Sequence, residues 1–254
     1  MPTSLRTPAE IEIMAEGGRR LGVVLQQLKD AVRPGVTTLS LDRIARELIT
    51  KDGDVPAFLH YQPAGAHRAY PYTLCASPNN VVVHGQPSEY VLREGDIIKL
   101  DLGLKHKGFY LDAAITVGVG HIAGIEKKLL TATEEALCAG IKEAKTGHTL
   151  GDIGYAIEKV VHKNKFSIAE GLTGHGIGRA LHEDPTVFNY GDKGHGEKLV
   201  PGMVLAIEPM VTVGGGEIVQ LMDESYGTAD RSWAAHFEHT VAITEHGQII
   251  LTKV

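Results

Sequence analysis

The sequence has few cysteines and no uninterrupted apolar run long enough to cross a membrane. Its two cysteines, Cys75 and Cys138, form neither a CxxC motif nor a disulfide framework, which is typical of a reducing cytoplasm. The first residues of the chain also lack the apolar core of a signal peptide. We therefore expect a soluble, cytoplasmic protein.

The sequence also lacks a basic segment. Lysine and arginine total 25 against 31 aspartates and glutamates, which gives a formal net charge of −6 over 254 residues. This mild acidic balance argues against nucleic acids and membranes as partners, because both attract clusters of positive charge. The hydrophobic fraction of 43% is ordinary for a globular protein.

Amphipathic patterns predict two pairs of helices separated by strand-rich segments. Thr7-Pro8-Ala9-Glu10 combines a threonine N-cap, a proline at the first helical position and a glutamate three residues after the cap, so a helix begins there. Apolar residues at intervals of three or four continue it to Pro34-Gly35. Further helices are predicted over about 38–51, 124–145 and 150–164.

The two halves of the chain have the same order of elements: helix, helix, strands. Pro34-Gly35-Val36-Thr37-Thr38-Leu39 precedes the second helix, and Thr146-Gly147-His148-Thr149-Leu150 precedes the fourth. No linker rich in serine, proline or glycine separates the halves, so we expect them to share one core. The prediction is a single domain over residues 1–254, with internal halves of roughly 5–118 and 122–254.

Five side chains able to bind metal ions lie on segments that read as strands or strand-edge turns: Asp101, Asp112, His175, Glu208 and Glu238. A carboxylate inside an apolar strand is costly unless it is paired, hydrogen-bonded or bound to a metal. Four carboxylates carry a formal charge of −4, which two divalent cations would balance. The set therefore predicts a two-metal site of the hydrolase type, with metals roughly 3.5–4 Å apart.

Two of these acids lie on a predicted hairpin of strands over 96–104 and 109–117. With the turn centred between His106 and Lys107, Asp101 and Asp112 would stand directly opposite each other on one face. A shared dication would remove their repulsion. Taken alone, the pair also fits a turn-end cap and a carboxylate hydrogen-bonded to backbone. A lone His175 in a glycine-rich turn is likewise more often structural.

Several sequence strings together resemble methionine aminopeptidase of type I: VVVHG at 81–85, KLDLGLKHKGFYLDAAI, GHGIGRALHEDP at 174–185, VLAIEPMV at 204–211 and FEHTV at 237–241. Their order and spacing match along most of the chain. The resemblance implies the pita-bread fold, an α+β architecture in which two pseudo-symmetric helix-helix-strand halves surround a central antiparallel sheet. It also implies removal of the initiator methionine from nascent proteins whose second residue is small.

The resemblance assigns a role to each metal-binding side chain. Asp101 would bind one metal ion, Asp112 and Glu238 would bridge both, and His175 and Glu208 would complete the other. A water bridging the two metals would attack the first peptide bond, because two cations lower its pKa. The metals implied are divalent Co, Mn, Fe or Zn, and ligand type alone does not select among them.

The resemblance also assigns three catalytic residues. Glu208 would accept the proton of the attacking water as a general base. His84 would contact the scissile amide and assist its leaving nitrogen. His182 would hydrogen-bond the substrate carbonyl and its developing oxyanion. Taken alone, either histidine is more typical of a satisfied core or loop residue.

The substrate pocket follows the family less closely. Tyr70 and Cys75 occupy positions that line the methionine pocket, where a thiol against a thioether is reasonable. His67 stands where a tyrosine is common, and Leu181 stands where an aromatic residue often precedes the histidine. The usual pocket tryptophan is replaced near Glu224. These differences weaken the prediction of strict methionine selectivity.

We expect a monomer whose partners are the N-termini of nascent polypeptides, and association with the ribosome fits such a substrate. Two other functions stay open. An Xaa-Pro aminopeptidase or dipeptidase of the same fold usually carries a large extra N-terminal domain, whereas only about ninety residues precede the metal hairpin here. A non-catalytic binding protein on this scaffold would typically have lost metal ligands, and all five are present.

Overall fold

A computed structural model describes residues 3–62 and 68–253. Within these ranges the elements run in chain order as α1 (Pro8–Ala31), α2 (Thr38–Lys51), β1 (Val55–Pro56), β2 (Cys75–Pro78), β3 (Val81–Val83), β4 (Ile97–His106), β5 (Phe109–Gly118), α3 (Gly124–Glu143), α4 (Leu150–Lys163), β6 (Ser167–Ile168), β7 (Gly174–Gly176), β8 (Glu183–Val187), β9 (Val204–Ile207), β10 (Met210–Thr212), β11 (Ile218–Gln220), β12 (Tyr226–Thr228), β13 (Ala234–His236), β14 (Glu238–Thr244) and β15 (Gly247–Ile250).

The first helix begins where its cap predicts. The Thr7 hydroxyl accepts a hydrogen bond from the Glu10 N–H, and the Glu10 carboxylate accepts one from the Thr7 N–H. This capping box satisfies two backbone donors that the helix itself cannot use. The buried stripe of α1 includes Met14, Leu21 and Leu28, which pack in the same core as the hairpin of β4 and β5.

The second helix of each half begins with the same local structure. Thr37 caps α2 by accepting from the Ser40 N–H, and Thr149 caps α4 by accepting from the Asp152 N–H. Each threonine also forms an isolated bridge with a later segment of its own half, to Val91 and Lys198 respectively. The repeat predicted from sequence is therefore visible in the local structure at the start of the second helix of each half.

Strands from both halves form one antiparallel sheet. Its order is β1-β4-β5-β14-β9-β7-β8, with β2 added to β4 and β15 added to β14. The halves meet where β5 pairs with β14, with Ala114 opposite Glu238 and Ala113 opposite His239. The central hairpin of one half thus lies beside the central strands of the other.

The register of the β4–β5 hairpin differs from the prediction. Asp101 pairs with Ala114 and not with Asp112, so the two acids are diagonal neighbours and the direct pairing was wrong. The turn lies one residue later than predicted, because Lys107 (φ 46°) and Gly108 (φ 92°) both adopt the positive φ angles of a tight two-residue hairpin turn. The partner of Asp101 is thus two residues further along β5 than predicted. Because side chains alternate between faces with a period of two, both acids still point to the same face.

Helices cover the face of the sheet opposite to these acids. Leu100 and Leu102, which flank Asp101, are fully buried in the core with α1 and α2. Leu205 and Ile207 of β9 are buried in a second core with α3 and α4. Since side chains alternate along a strand, the acids point to the other face. In the described part of the chain, none of the helices combines the length and the hydrophobicity that a membrane span requires.

Candidate metal centre and active site

The face of the sheet that the helices leave free forms one cavity of about 470 Å³. That volume is in the range of small-ligand sites. The cavity is lined by all nine residues selected from the sequence: Tyr70, Cys75, Asp101, Asp112, His84, His175, His182, Glu208 and Glu238. The structure therefore brings them together, whereas their individual roles stay predictions.

Strand pairing places the acids in a row across the sheet. Cys75 on β2 pairs with Asp101 on β4, which pairs with Ala114 on β5, which in turn pairs with Glu238 on β14. Directly opposed residues point to the same face, so these side chains are neighbours. The small side chain of Ala114 leaves space between the two carboxylates. Asp112 lies two residues from Ala114 and shares that face.

The second half supplies the other side of this row. Glu208 directly follows β9, which pairs with β14, and His175 lies in the middle of β7, which pairs with β9. Ligand atoms of Asp112, His175 and Glu238 lie within 4.8 Å of one another, close enough to share one cation. Atoms of Glu208, His236 and Glu238 form a second such group. Glu238 belongs to both.

The carboxylates lack the partners that buried charges normally have. In the described part of the chain, Oδ1 of Asp101, Oδ1 of Asp112 and Oε1 of Glu238 are buried without a hydrogen bond. Such atoms are costly unless a ligand satisfies them. Carboxylate oxygens that no cationic side chain already satisfies are the donors that a hard divalent cation prefers. The residues present therefore fit a metal centre.

Burial and mutual repulsion both raise the pKa values of the carboxyl groups. Burial raises the pKa of Asp112 from 3.8 to about 7. Burial also raises the pKa values of Asp101, Glu208 and Glu238 well above their ordinary range, and the charge of Asp112 adds to each shift. These raised pKa values favour the protonated carboxyl groups, so cation binding competes with proton binding.

His175 presents one ring nitrogen to the cavity. Its Nδ1 lies 2.8 Å from the carbonyl oxygen of Gly176, which can only accept, so Nδ1 carries the proton. Its Nε2 lone pair then faces Oε1 of Glu208 at 3.6 Å. Burial, with a contribution from His182, lowers the pKa of His175 to about 3. The imidazole is therefore neutral, as a metal ligand must be.

The glycines beside His175 allow close backbone packing. A Cβ on Gly174 would collide with the carbonyl oxygen of Ala206, and one on Gly176 would collide with the carbonyl oxygen of Asp184. Any larger residue at either position must displace backbone on a neighbouring segment. These two positions keep His175 close to β9 and therefore close to Glu208.

His182 is held by two sets of contacts. The carboxylate of Glu183, the next residue, accepts hydrogen bonds from the N–H groups of Arg179 and Ala180 at 2.7 and 2.9 Å. Arg6 forms an ion pair with the same carboxylate. The Tyr61 hydroxyl lies 2.8 Å from Nδ1 of His182, whose ring centroid is 4.4 Å from that of His175. His182 is thus fixed beside the metal-binding group.

His84 lies on the opposite side of the cavity. Its backbone has φ 60°, and its ring packs edge-on to Tyr226 at 5.9 Å between centroids. The His84 side chain is open to the cavity, but protein atoms surround the ring on its other sides. Desolvation by these atoms, together with the charge of His182, lowers the pKa of His84 to about 4. A neutral imidazole is available there at pH 7.

The predicted pocket residues occupy the end of the cavity near β2. The Tyr70 hydroxyl donates to the carbonyl oxygens of Leu74 and Gly85, so its polar end is satisfied by backbone. Cys75 is buried beside it, and burial raises the pKa of its thiol, which stays protonated. These contacts fit a sulfur-lined apolar pocket, and they would also serve core packing.

The residues that depart from the family pattern lie at the same cavity. Leu181 and Glu224 both contribute to its lining. Oε1 of Glu224 lies 3.4 Å from Nε of Arg68. A charged pair therefore stands where an aromatic side chain was expected. His67 lies outside the described residues.

Two residues near the centre were missed by the sequence reasoning. His236 is buried, with Nε2 3.4 Å from Oε2 of Glu208. The sequence did indicate His236, because it precedes Glu238 by two positions and side chains two residues apart on an extended segment point to the same face. Tyr61, whose partner His182 lies far away in sequence, had no such signal. Tyr61 lies in an irregular segment rich in aromatic residues, where no hydrophobic periodicity predicts which way a side chain points.

The chain is similar to known metallopeptidases along most of its length. Residues 12–245 match metallopeptidase family M24. A methionine aminopeptidase from Clostridium perfringens is 46% identical over 251 residues, which cover 98% of both chains. The crystal structure of methionine aminopeptidase from Thermotoga maritima superposes with a TM-score of 0.94 at 40% identity, covering 99% of this chain and 100% of that one.

More distant structures share the fold alone. An Xaa-Pro dipeptidase from Bacillus anthracis superposes with a TM-score of 0.77 at 21% identity, covering 98% of this chain and 62% of that one. Together these similarities confirm the pita-bread fold expected from the sequence.

Proposed function

This chain belongs to metallopeptidase family M24, and we propose that it is a metal-dependent aminopeptidase that removes the initiator methionine from nascent polypeptides. One observation carries the proposal. Four carboxylates, three of them buried, and a neutral imidazole from both halves meet in a single cavity, in a chain 46% identical to a methionine aminopeptidase along its length.

The metal centre we propose holds two divalent cations. Their ligands are Asp101, Asp112, His175, Glu208 and Glu238. The four formal negative charges support two cations over one, and Glu238 lies within reach both of Asp112 and His175 and of Glu208. When bound, such cations polarise a carbonyl oxygen and make hydroxide available near neutral pH. Co, Mn, Fe and Zn all suit this donor set, and the supply of each in the cell would decide among them.

Glu208 is the proton acceptor in this proposal. It lies at the cavity wall with one oxygen facing His175, and burial raises the pKa of its carboxyl group. A carboxylate with raised proton affinity takes a proton from water more readily than an ordinary glutamate does. It then passes this proton to the nitrogen of the departing peptide.

The two cavity histidines orient the substrate. His182 donates from Nε2 to the carbonyl oxygen of the scissile bond, where negative charge develops. His84 contacts the amide nitrogen from the other side. Tyr70 and Cys75 receive the methionine side chain. The preference for a small second residue is part of the proposal and is taken from the similarity to methionine aminopeptidases.

The physiological setting follows from this chemistry. N-termini of nascent polypeptides are the substrates, and a monomer acting in the cytoplasm near the ribosome would meet them first. An Xaa-Pro dipeptidase is the less supported alternative, since the similarity to that enzyme is 21% and extends to the fold alone. A non-catalytic binding protein would not require the five donors that this cavity retains.

A peptide-release assay tests the proposal. The protein is stripped with a chelator, reloaded with Mn²⁺, Fe²⁺, Co²⁺ or Zn²⁺, and given Met-Ala-Ser or Ala-Pro-Ala. We expect release of methionine from Met-Ala-Ser that depends on metal and is lost in Glu208→Ala and Asp112→Ala. The exposed Glu89→Ala is the control and should keep full activity.

Each alternative has its own signature in this assay. Preference for Ala-Pro-Ala would identify an Xaa-Pro peptidase. Tight peptide binding without turnover at saturating metal would identify a binding protein. Activity that survives chelation, or that persists in folded Asp112→Ala, would end the proposal.

A further inference from the structure

The backbones of His236 and Asp112 are held in the same way. The Thr240 hydroxyl accepts from the Asp112 N–H at 3.0 Å and donates to the Asp112 carbonyl at 2.7 Å. The Thr116 hydroxyl accepts from the His236 N–H at 2.9 Å and donates to the His236 carbonyl at 2.7 Å. Thr116 follows Asp112 by four residues, as Thr240 follows His236. His236 is thus the counterpart of Asp112 under the pseudo-symmetry of the halves.

The side chain of His236 is buried and has no hydrogen-bond partner. Only 1% of the residue is exposed, and in the described part of the chain neither Nδ1 nor Nε2 makes a hydrogen bond. A polar ring in this state is costly, so it is retained only where something compensates. Oε2 of Glu208 lies 3.4 Å from its Nε2.

Glu208 lies between two imidazoles. Its Oε1 is 3.6 Å from Nε2 of His175, and its Oε2 is 3.4 Å from Nε2 of His236. The two oxygens of one carboxylate therefore face different rings. A carboxylate that binds a metal through one oxygen is commonly fixed by a hydrogen bond to the other.

We infer that His236 is a positioning residue of the metal centre: its Nε2 lies 3.4 Å from Oε2 of Glu208, and with the cations bound it would donate to that oxygen and so direct Oε1 toward them. A neutral imidazole carries one N–H, and the Glu208 carboxylate beside Nε2 favours the tautomer with the proton on that nitrogen. The Thr116 hydroxyl fixes the backbone of His236 and hence the direction of the ring. This inference rests on the proposed metal centre.

Three variants test the inference in the full-length protein. His236→Leu removes the donor and keeps an apolar side chain of similar size. His236→Gln keeps an N–H donor on a flexible amide, which is a poor metal ligand. His239→Gln is the matched control, because His239 lies three residues away with its Nδ1 on Thr252 and outside the cavity lining. Circular dichroism establishes that each variant is folded.

Metal binding and catalysis are measured separately. Mn²⁺ affinity is obtained by calorimetry, the ligand field by the visible spectrum of the Co²⁺-loaded protein, and kcat with Met-Ala-Ser. For His236→Leu we expect Mn²⁺ affinity and kcat to fall about 10- to 100-fold, with an altered Co²⁺ spectrum. His236→Gln should restore both to within about fivefold of the wild type. His239→Gln should match the wild type throughout.

Two results would overturn the inference. Wild-type affinity and spectrum in folded His236→Leu would mean that the ring does not act on Glu208. Loss of one metal equivalent in both His236→Leu and His236→Gln would make His236 a direct ligand and not a positioning residue. Failure of the wild-type protein to bind any metal would instead refute the proposed function, so the two failures are distinguishable.

Discussion

The hydroxyl oxygen of Tyr61 lies 2.8 Å from Nδ1 of His182. Burial raises the pKa of Tyr61, so the phenol keeps its proton and can donate it to that nitrogen. The proton of a neutral imidazole is then on Nε2, the nitrogen that the proposed mechanism uses as a donor. A loop tyrosine therefore contacts a histidine in the other half of the chain, and as the donor it would favour the tautomer with the proton on Nε2.

Replacing Tyr61 by phenylalanine should lower kcat about tenfold while KM for Met-Ala-Ser changes less than about threefold. The variant loses the hydrogen bond that favours this tautomer, an effect of about 1 kcal/mol or slightly more. Steady-state kinetics with the metal-loaded enzyme measures both constants. Tyr155→Phe, on the exposed face of α4, is the control. An unchanged kcat in Tyr61→Phe would show that the contact does not serve catalysis.

Cys75 should contribute to the choice of methionine over its sulfur-free analogue norleucine. We expect Cys75→Ala to reduce the ratio of kcat/KM for Met-Ala-Ser over norleucine-Ala-Ser about threefold, because a polarisable sulfur contact is lost. Cys138→Ala, on the exposed side of α3, should leave the ratio unchanged. If Cys75→Ala lowers only the melting temperature, the thiol contributes to packing and not to selectivity.

The metal-free protein should lose stability as pH rises. The pKa of Asp112 is raised from 3.8 to about 7 in the fold, so the folded state binds more protons than the unfolded state between these values. The associated stability is fully present below about pH 4 and is lost as pH rises through about 7. We expect a loss of about 2–4 kcal/mol from this group, measured by denaturant unfolding with chelator present.

Two comparisons isolate the cause of that pH dependence. Asp112→Asn cannot titrate, so its unfolding free energy should depend less on pH over the same interval. Saturating Mn²⁺ should reverse the trend in the wild type, because the cation replaces the protons and binds more tightly as they leave. A metal-free wild type that becomes more stable between pH 5 and 8 would contradict the assignment.

The sequence predicted the helices well because their ends are set by local contacts. Thr7 and Glu10 satisfy each other within one turn, and Thr149 repeats this arrangement with Asp152 in the second half. Acids inside apolar strands were equally informative, since burying an unpartnered charge is too costly to be accidental. The five predicted metal-binding side chains line one cavity for that reason.

Other features depend on contacts that no local pattern reveals. The hairpin register follows from the left-handed backbone of Lys107, a residue type that gives little warning of positive φ. The tautomer of His175 is set by the carbonyl of the next residue, which only the folded backbone places within reach. The contact between Tyr61 and His182 joins segments 121 residues apart in the chain.

The joining of β5 to β14 has a consequence for how the protein is degraded. Asp112 and Glu238 come from different halves, so a cation that binds both must be released before the halves can separate. Cation binding and the pairing of β5 with β14 are therefore thermodynamically linked. Cleavage by a protease in the connection between Gly118 and Gly124 should become slower as the free concentration of divalent ions increases, which would tie the lifetime of the polypeptide to the metal supply of its surroundings.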